Sequence, residues 1–294
     1  MVEPNTGYYC KVIADSINPA GVRLTTLEVC FPRFILAEIN THRVFSRNSA
    51  SSRAIPVGKQ LQRVKEFPFV PESFPINKPG MSATEYITAK DSGYKEARDA
   101  WLYGRDKAIE TAERLLALNI HKQIANRVIE PYTYHTAVIT ATEWDNFYNL
   151  RISPFAQPEI IKTAELMKSA MNRTHPRRLE WGELHLPYVL DSELMLDRFA
   201  QNKPELLKVS AGRAAAVTLL NMATRDVDKD IERCEKLIAN GHMSPLEHPA
   251  EAHNPAFSNY ASKPSNFNDT WVQFRKRIPN EAVYVEQETK AISA

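Results

Sequence analysis

The sequence predicts a mixed α/β chain of the α+β kind, and three observations carry that expectation. β-Branched and aromatic residues crowd the stretch from Tyr8 to Phe31, which suits strands. Several later segments repeat apolar residues at helical spacing. The composition, 43% hydrophobic and 24% charged over 294 residues, is that of a globular chain able to bury a sizeable core. That core belongs to one large domain or two intimate ones.

The elements follow in order. Val22, Leu24, Leu27, Val29 and Phe31 read as strand, with Asn18-Pro19-Ala20-Gly21 as the turn before them. Pro32 suits a helix first turn, and Phe34, Ile35, Leu36 and Ile39 supply its apolar stripe. The proline-rich stretch 67–82 reads as an irregular surface loop. Tyr94 to about Ile120 reads as a helix, as does Pro158 to Met171. The Arg- and His-rich stretch 172–190 is a connector. Helical periodicity returns at 205–223 and 228–239, where Ile231, Cys234, Leu237 and Ile238 share a face and Asn240-Gly241 is the stop. The segment 249–270 reads as polar loop, and the last fifteen residues are expected to fray.

Several function classes are excluded early. A net charge of +2 and a pI near 8.3 leave no broad polybasic surface, so no stable nucleic-acid partner is expected. Cys10, Cys30 and Cys234 form no CxxC pair, which suggests neither zinc nor a disulfide framework. The first ten residues lack a basic region followed by an apolar run, and no stretch reaches the roughly 20 apolar residues of a membrane span. A cytoplasmic protein is the expectation, in the host cytoplasm if the chain is viral. GxGxxG, Walker A, HExxH and GxSxG patterns are all absent.

The densest chemistry lies at Thr41-His42-Arg43-Val44-Phe45-Ser46-Arg47-Asn48-Ser49-Ala50-Ser51-Ser52-Arg53. Three arginines, five hydroxyls, an amide and an imidazole offer many donors and almost no acceptor charge. Such a loop suits a phosphate, through guanidinium forks and hydroxyls. The plainer reading is a solvated Ser/Arg-rich surface loop.

The pattern HR-x2-S-x-N-x2-S-x-R in that stretch resembles the signature of flavin-dependent thymidylate synthases. By that resemblance His42, Arg43, Ser46 and Asn48 would meet FAD, while Ser51, Ser52 and Arg53 would hold the nucleotide phosphate. Thr41 stands where the family has an arginine, Ser49 where it has a glutamate, and Glu38 where a glutamine precedes the signature. Three further blocks resemble the same family. Arg127 with Pro131 looks like its AR-x3-P element, whose arginine reaches the nucleotide. Asn146-Phe147-Tyr148-Asn149-Leu150-Arg151, then Ala156-Gln157-Pro158-Glu159-Ile160, looks like NF-x2-LR…AQ-x-EI, with Phe155 in place of a histidine. Asn146 would contact flavin and Arg151 the pyrimidine ring, stabilising charge as carbon 5 becomes nucleophilic. Last, Lys208-Val209-Ser210 and Gly241-His242-Met243-Ser244-Pro245-Leu246-Glu247-His248 resemble RVS…GH-x-[ST]-P-x-EH, a block that precedes the HR signature in most relatives. Here it follows, as in a circularly permuted, possibly phage-type, member whose single domain spans 1–294 with the family's N-terminal block at about 205–250. Ser210, His242 and Ser244 would complete the FAD site. Asn266-Phe267 and Trp271 to Lys276 resemble a tail of some members, or else an aromatic edge strand with basic residues facing water.

The resemblance implies a twisted, mainly antiparallel sheet flanked by long helices, assembled as a homotetramer with active sites between subunits. It implies reductive methylation of dUMP to dTMP, with FAD, and with NADPH and methylenetetrahydrofolate as co-substrates. Other outcomes for the same site are hydroxymethylation of dUMP, or methylation or hydroxymethylation of dCMP. A reading of another class is a non-catalytic nucleotide- or RNA-binding module built on 41–53 and the basic run 173–178. No metal is implied, since His242, Glu247 and His248 have no zinc spacing.

Overall fold

The computed structural model describes residues 6–51, 54–80, 82–199, 202–217, 225–257, 266–279 and 281–282. The predicted hairpin at the start is present as strands β1 (Tyr9–Ile17) and β2 (Arg23–Pro32). Asn18 builds its turn. The side-chain carbonyl accepts the N–H groups of Ala20 and Val22 at 3.1 and 3.0 Å, and Gly21 supplies the left-handed residue at φ +78°. A 3-10 turn then leads into the short helix α1 (Leu36–Asn40).

Strand β3 (Ser46–Ser49) lies inside the stretch that read as a loop. Helix α2 (Val57–Glu66) follows, then the small hairpin β4 (Ser73–Pro75) and β5 (Tyr86–Thr88), which falls partly in the predicted proline-rich loop. Helix α3 (Tyr94–Ala117) matches its prediction, and α4 (Lys122–Ala125) continues it after a turn. Strand β6 (Tyr134–Ala141) had no prediction; its mixture of threonine, alanine and valine gives no clean alternation. Helices α5 (Asp145–Arg151) and α6 (Pro158–Asn172) come next, α6 starting on a proline that needs no N–H partner there.

The connector carries β7 (Arg177–Arg178), β8 (Leu184–His185) and helix α7 (Asp191–Leu194). Helix α8 (Lys203–Ala215) is capped by Asn202 and α9 (Val227–Ala239) by Asp226. Residues 218–223 of the predicted helical stretch lie outside the described residues. Strand β9 (Ala250–Ala252) occupies part of the supposed polar loop, and β10 (Trp271–Gln273) pairs with it. The terminal residues expected to fray also lie outside the described residues, apart from 281–282.

Among the described residues the main sheet runs β3-β6-β2-β1-β7, antiparallel throughout except for the β1–β7 pair. A second sheet runs β10-β9-β8. The alternation of β2 divides the molecule. Leu27, Val29 and Phe31 pack with Ile139 of β6 against Phe147 of α5 and Ile160, Ala164 and Met167 of α6. The other face carries Leu24, Thr26 and Glu28, and it is covered by the second sheet, by Tyr188 and by α8.

Polar residues are buried on that second face, and they are paired. Ser16, His185, Thr26, Thr140 and His248 form a continuous hydrogen-bonded chain with steps of 2.9, 2.8, 2.7 and 2.8 Å. The chain ties β1, β2 and β6 to β8 and to the segment after Ser244–Glu247. Burial drives His185 and His248 down to about 3, so both rings are neutral. Helices α8 and α9 cross where Gly212 meets Asp230, and a Cβ at Gly212 would lie 2.1 Å from the Asp230 carbonyl oxygen. Next to it, the fully buried Arg213 donates to Asp230 at 2.7 Å and bidentately to Glu193 at 2.6 and 2.7 Å.

Candidate functional site

The site residues collect around β3, the edge strand of the main sheet. Its sequence Ser46-Arg47-Asn48-Ser49 has little strand propensity; pairing with β6 makes it a strand by satisfying its backbone groups. Once it is a strand, its side chains alternate. Ser46 and Asn48 stand opposite Thr140 and Val138 on the face covered by α8, whereas Arg47 and Ser49 stand opposite Ile139 and Ala137 on the face of α5 and α6. A donor-rich run that looks like one loop in sequence is therefore split between two faces.

On the α5 side, Arg151 and His42 meet. The guanidinium donates from Nε to His42 Nε2 at 2.9 Å, and from Nη2 to Thr41 Oγ1 at 3.1 Å and the Glu38 carbonyl at 3.4 Å. Thr41 in turn donates to the same carbonyl at 2.6 Å. His42 packs edge-on against Phe147, ring centroids 4.8 Å apart, and tilted against Phe45. Burial, then the charges of Arg151 and Arg47, lower its pKa to about 4. The ring is neutral, and because Nε2 accepts, its proton sits on Nδ1. Arg47 turns back to donate to the carbonyls of Ile39 and His42 at 3.1 and 3.2 Å. It shapes the turn that carries Arg43, which is exposed, as is Asn146 on α5.

On the α8 side, Asn48 donates to the Ala214 carbonyl at 2.8 Å and accepts from Ser244 Oγ at 3.4 Å. The late block Gly241–His248 thus meets the HR signature across 196 positions of sequence. His242 has two parts to play: its backbone N–H caps α9 at the Leu237 carbonyl, 2.8 Å away, while its imidazole is exposed. Ser46 is fully buried, with Oγ accepting from Gln273 at 2.8 Å and Asn266 at 3.2 Å. Ser210 is equally buried and donates to the Pro187 carbonyl at 2.7 Å. As folded here, neither hydroxyl is presented to a ligand from within this chain.

The remaining candidates stand apart. Arg127, exposed in the 3-10 stretch Asn126–Tyr132, spends Nη1 on both oxygens of Glu130 at 3.1 and 3.2 Å and keeps the rest of its fork. Ser51 is exposed at the end of β3, and Ser52 and Arg53 lie outside the described residues. Sequence reasoning missed Gln273, which bridges Ser46 to the Glu247 carbonyl, and Glu247, which pairs with Arg275. The basic residues of the tail are paired, Arg275 with Glu247 and Glu281 and Lys276 with Glu281. No cluster of potential metal ligands occurs among the described residues. Nor is any of their helices long and apolar enough to cross a membrane.

Comparison with known proteins adds three findings. None of the curated proteins matches the chain. Among solved structures it is similar to the UMP/dUMP methylase PolB from Streptomyces cacaoi bound with 5-Br UMP, at 19% identity and a TM-score of 0.47 over 58% of this chain and 92% of that one. The same methylase bound with 5-Br dUMP gives 18% identity and a TM-score of 0.47, over 58% and 93%. A family model described as thymidylate synthase complementing protein matches residues 22–177, from β2 to β7 and including His42, Arg127 and Arg151; matched over more than half its length, the chain belongs to that family.

Proposed function

We propose that this chain modifies carbon 5 of a pyrimidine deoxynucleotide, and that the reaction is reductive methylation of dUMP to dTMP. The observation that carries the reading is the hold on Arg151. Its Nε and Nη2 are spent on His42, Thr41 and the Glu38 carbonyl, which leaves Nη1 for a ligand. A guanidinium fixed in this way can meet negative charge on a ring oxygen with little reorganisation as carbon 5 becomes nucleophilic. His42 is neutral beside it, so the local positive charge comes from Arg151, with Arg47 nearby turned onto backbone carbonyls. Arg127, Ser51, Ser52 and Arg53 hold the nucleotide phosphate, by side chains because the loop is poor in glycine.

The donor set suits a flavin dinucleotide. Arg43, Asn146, His242 and Ser244 are exposed and Asn48 half-buried, so together they present donors with no carboxylate among them. These residues would hold FAD along the free edge of β3, with Ser46 and Ser210 supporting that wall from inside. When bound and reduced by NADPH, FAD would supply the hydride that completes the methyl group brought by methylenetetrahydrofolate. A homotetramer would bring the groups on the two faces of β3 together between subunits. The position of the late block against Asn48 supports its reading as a permuted N-terminal block.

Thr41 in place of arginine and Phe155 in place of histidine favour a second outcome for the same site, a hydroxymethyl product or a dCMP substrate. One experiment separates these. The visible spectrum of the protein is recorded with FAD, then with dUMP or dCMP, alongside tritium release from nucleotides labelled at carbon 5. A spectral shift, release with dUMP and dTMP as the recovered product support the synthase; 5-hydroxymethyl-dUMP as the product, or release with dCMP alone, supports the second outcome. No flavin and no release would leave the nucleotide-binding module.

A further inference from the structure

A cavity of about 540 Å³ opens between the β4–β5 hairpin, α3 and the loop joining α5 to α6. Its size is that of a small-molecule site. Phe34, Phe74, Tyr86, Trp101 and Phe155 line it with aromatic surface, and among the described residues Glu159 is the one charged residue of the lining, with no arginine, lysine or histidine. A phosphate or carboxylate would find no cationic side chain in this lining and would meet the negative charge of Glu159, so nucleotides suit this cavity poorly.

The polar tips of its aromatic walls are already engaged. Trp101 donates its indole N–H to the Phe69 carbonyl at 2.9 Å, and Tyr86 its hydroxyl to the Ala83 carbonyl at 3.0 Å. They therefore offer ring surface rather than hydrogen bonds. Phe155 is 73% exposed, although Ser82 fixes its backbone by donating to its carbonyl at 3.0 Å. A large aromatic side chain held in water beside an aromatic cavity gains by being covered with a flat ring. Glu159 is buried at 6% exposure in the first turn of the fifteen-residue helix α6; burial raises its pKa, and hydrogen bonds from its own backbone N–H and the Gln157 side chain offset part of that rise. A desolvated carboxylate of this kind gains from N–H donors, above all a pair that matches its two oxygens.

We propose that this cavity binds a flat amidine-type heterocycle, a ring with two neighbouring N–H donors and no acidic group, stacked on the aromatic walls and paired with Glu159. A positive charge on such a ring adds attraction to the faces of Trp101 and Tyr86. The cavity shares Phe155 with the site proposed above, but its ligand differs from a nucleotide, which needs the cations this lining lacks.

The test is calorimetric titration of the full chain at neutral pH with 2-aminobenzimidazole, and with 1,2-dimethylbenzimidazole, a flat ring without N–H donors. The first probe is expected to bind once per chain, and the second at least about tenfold more weakly. Glu159→Gln and Phe155→Ala are each expected to weaken the first probe by about tenfold. Because Phe155 is exposed, Phe155→Ala should keep the parent melting temperature, which guards against a mere folding defect. No binding, equal binding of both probes, or indifference to both substitutions would overturn the proposal, as would displacement of the probe by dUMP. The nucleotide reading fails separately: no response to dUMP in samples where the probe still binds leaves the cavity intact.

Discussion

Arg151 donates to His42 across 2.9 Å, joining the last residue of α5 to the turn before β3. The contact is between a cation and a neutral imidazole, because burial of His42 and then the charges of Arg151 and Arg47 disfavour protonating the ring. It fixes the orientation of the guanidinium that we propose acts on the pyrimidine ring.

Replacing Arg151 by Ala is expected to lower kcat by about a hundredfold or more while flavin stays bound. Turnover and flavin content measured on one preparation check this. Equal activity would remove Arg151 from the reaction.

Thr41 holds the same guanidinium from its other side. Thr41→Val keeps the shape, and the residue is exposed, so the melting temperature should not move. The rate should fall by roughly tenfold through a looser Arg151. A change in KM alone, with kcat preserved, would argue against a positioning role.

We propose that Arg53 and Arg127 bind the nucleotide phosphate. Arg53→Ala is expected to weaken dUMP by about tenfold or more, the loss of a charge-assisted hydrogen bond. An unchanged dissociation constant in a direct titration would take Arg53 out of the phosphate site.

Stability should depend on pH through His135, His185 and His248. Burial holds each at about 3 when folded, against 6.5 for the free side chain. Between those values the unfolded chain takes up protons that the folded chain refuses. Stability is therefore complete above pH 6.5 and lost as pH falls, by roughly 1.4 kcal/mol per pH unit for each ring. The melting temperature recorded between pH 7 and pH 5 checks this; a flat profile would mean that the rings are charged or exposed.

The helix crossing at Gly212 makes a paired prediction. A methyl there would meet the Asp230 backbone at 2.1 Å, and backbone cannot swing aside. Gly212→Ala should cost about 2 kcal/mol or more. Gly104→Ala would meet only the Tyr132 hydroxyl, at 2.6 Å on a side chain able to move. Thermal unfolding should show a clear loss for the first and little for the second.

Much of the fold was legible from local rules. The β1–β2 turn was written in Asn18 and Gly21, α6 in Pro158 and its apolar stripe, and the end of α9 in Asn240-Gly241. The HR motif and Arg151 were legible as chemistry. Local rules could not reach the short β3 and β9, rich in Ser, Asn and Ala, which form when a partner completes their ladder, and β6 is buried along nearly its whole length and so shows no alternation.

The sequence by itself determined which residues carry donors, a property of side-chain type, and marked α3, α6 and α9 by apolar residues a few positions apart, whereas α2 and α5 were not read from it. Only the tertiary structure decided where those donors point. Pairing of β3 with β6 sends Ser46 and Asn48 to one face of the sheet and Arg47 to the other. Packing of α8 closes Ser210 onto Pro187, and the long return of the chain brings Ser244 to Asn48. The reason is physical: strand alternation follows from register, and register is set by a partner far away in sequence.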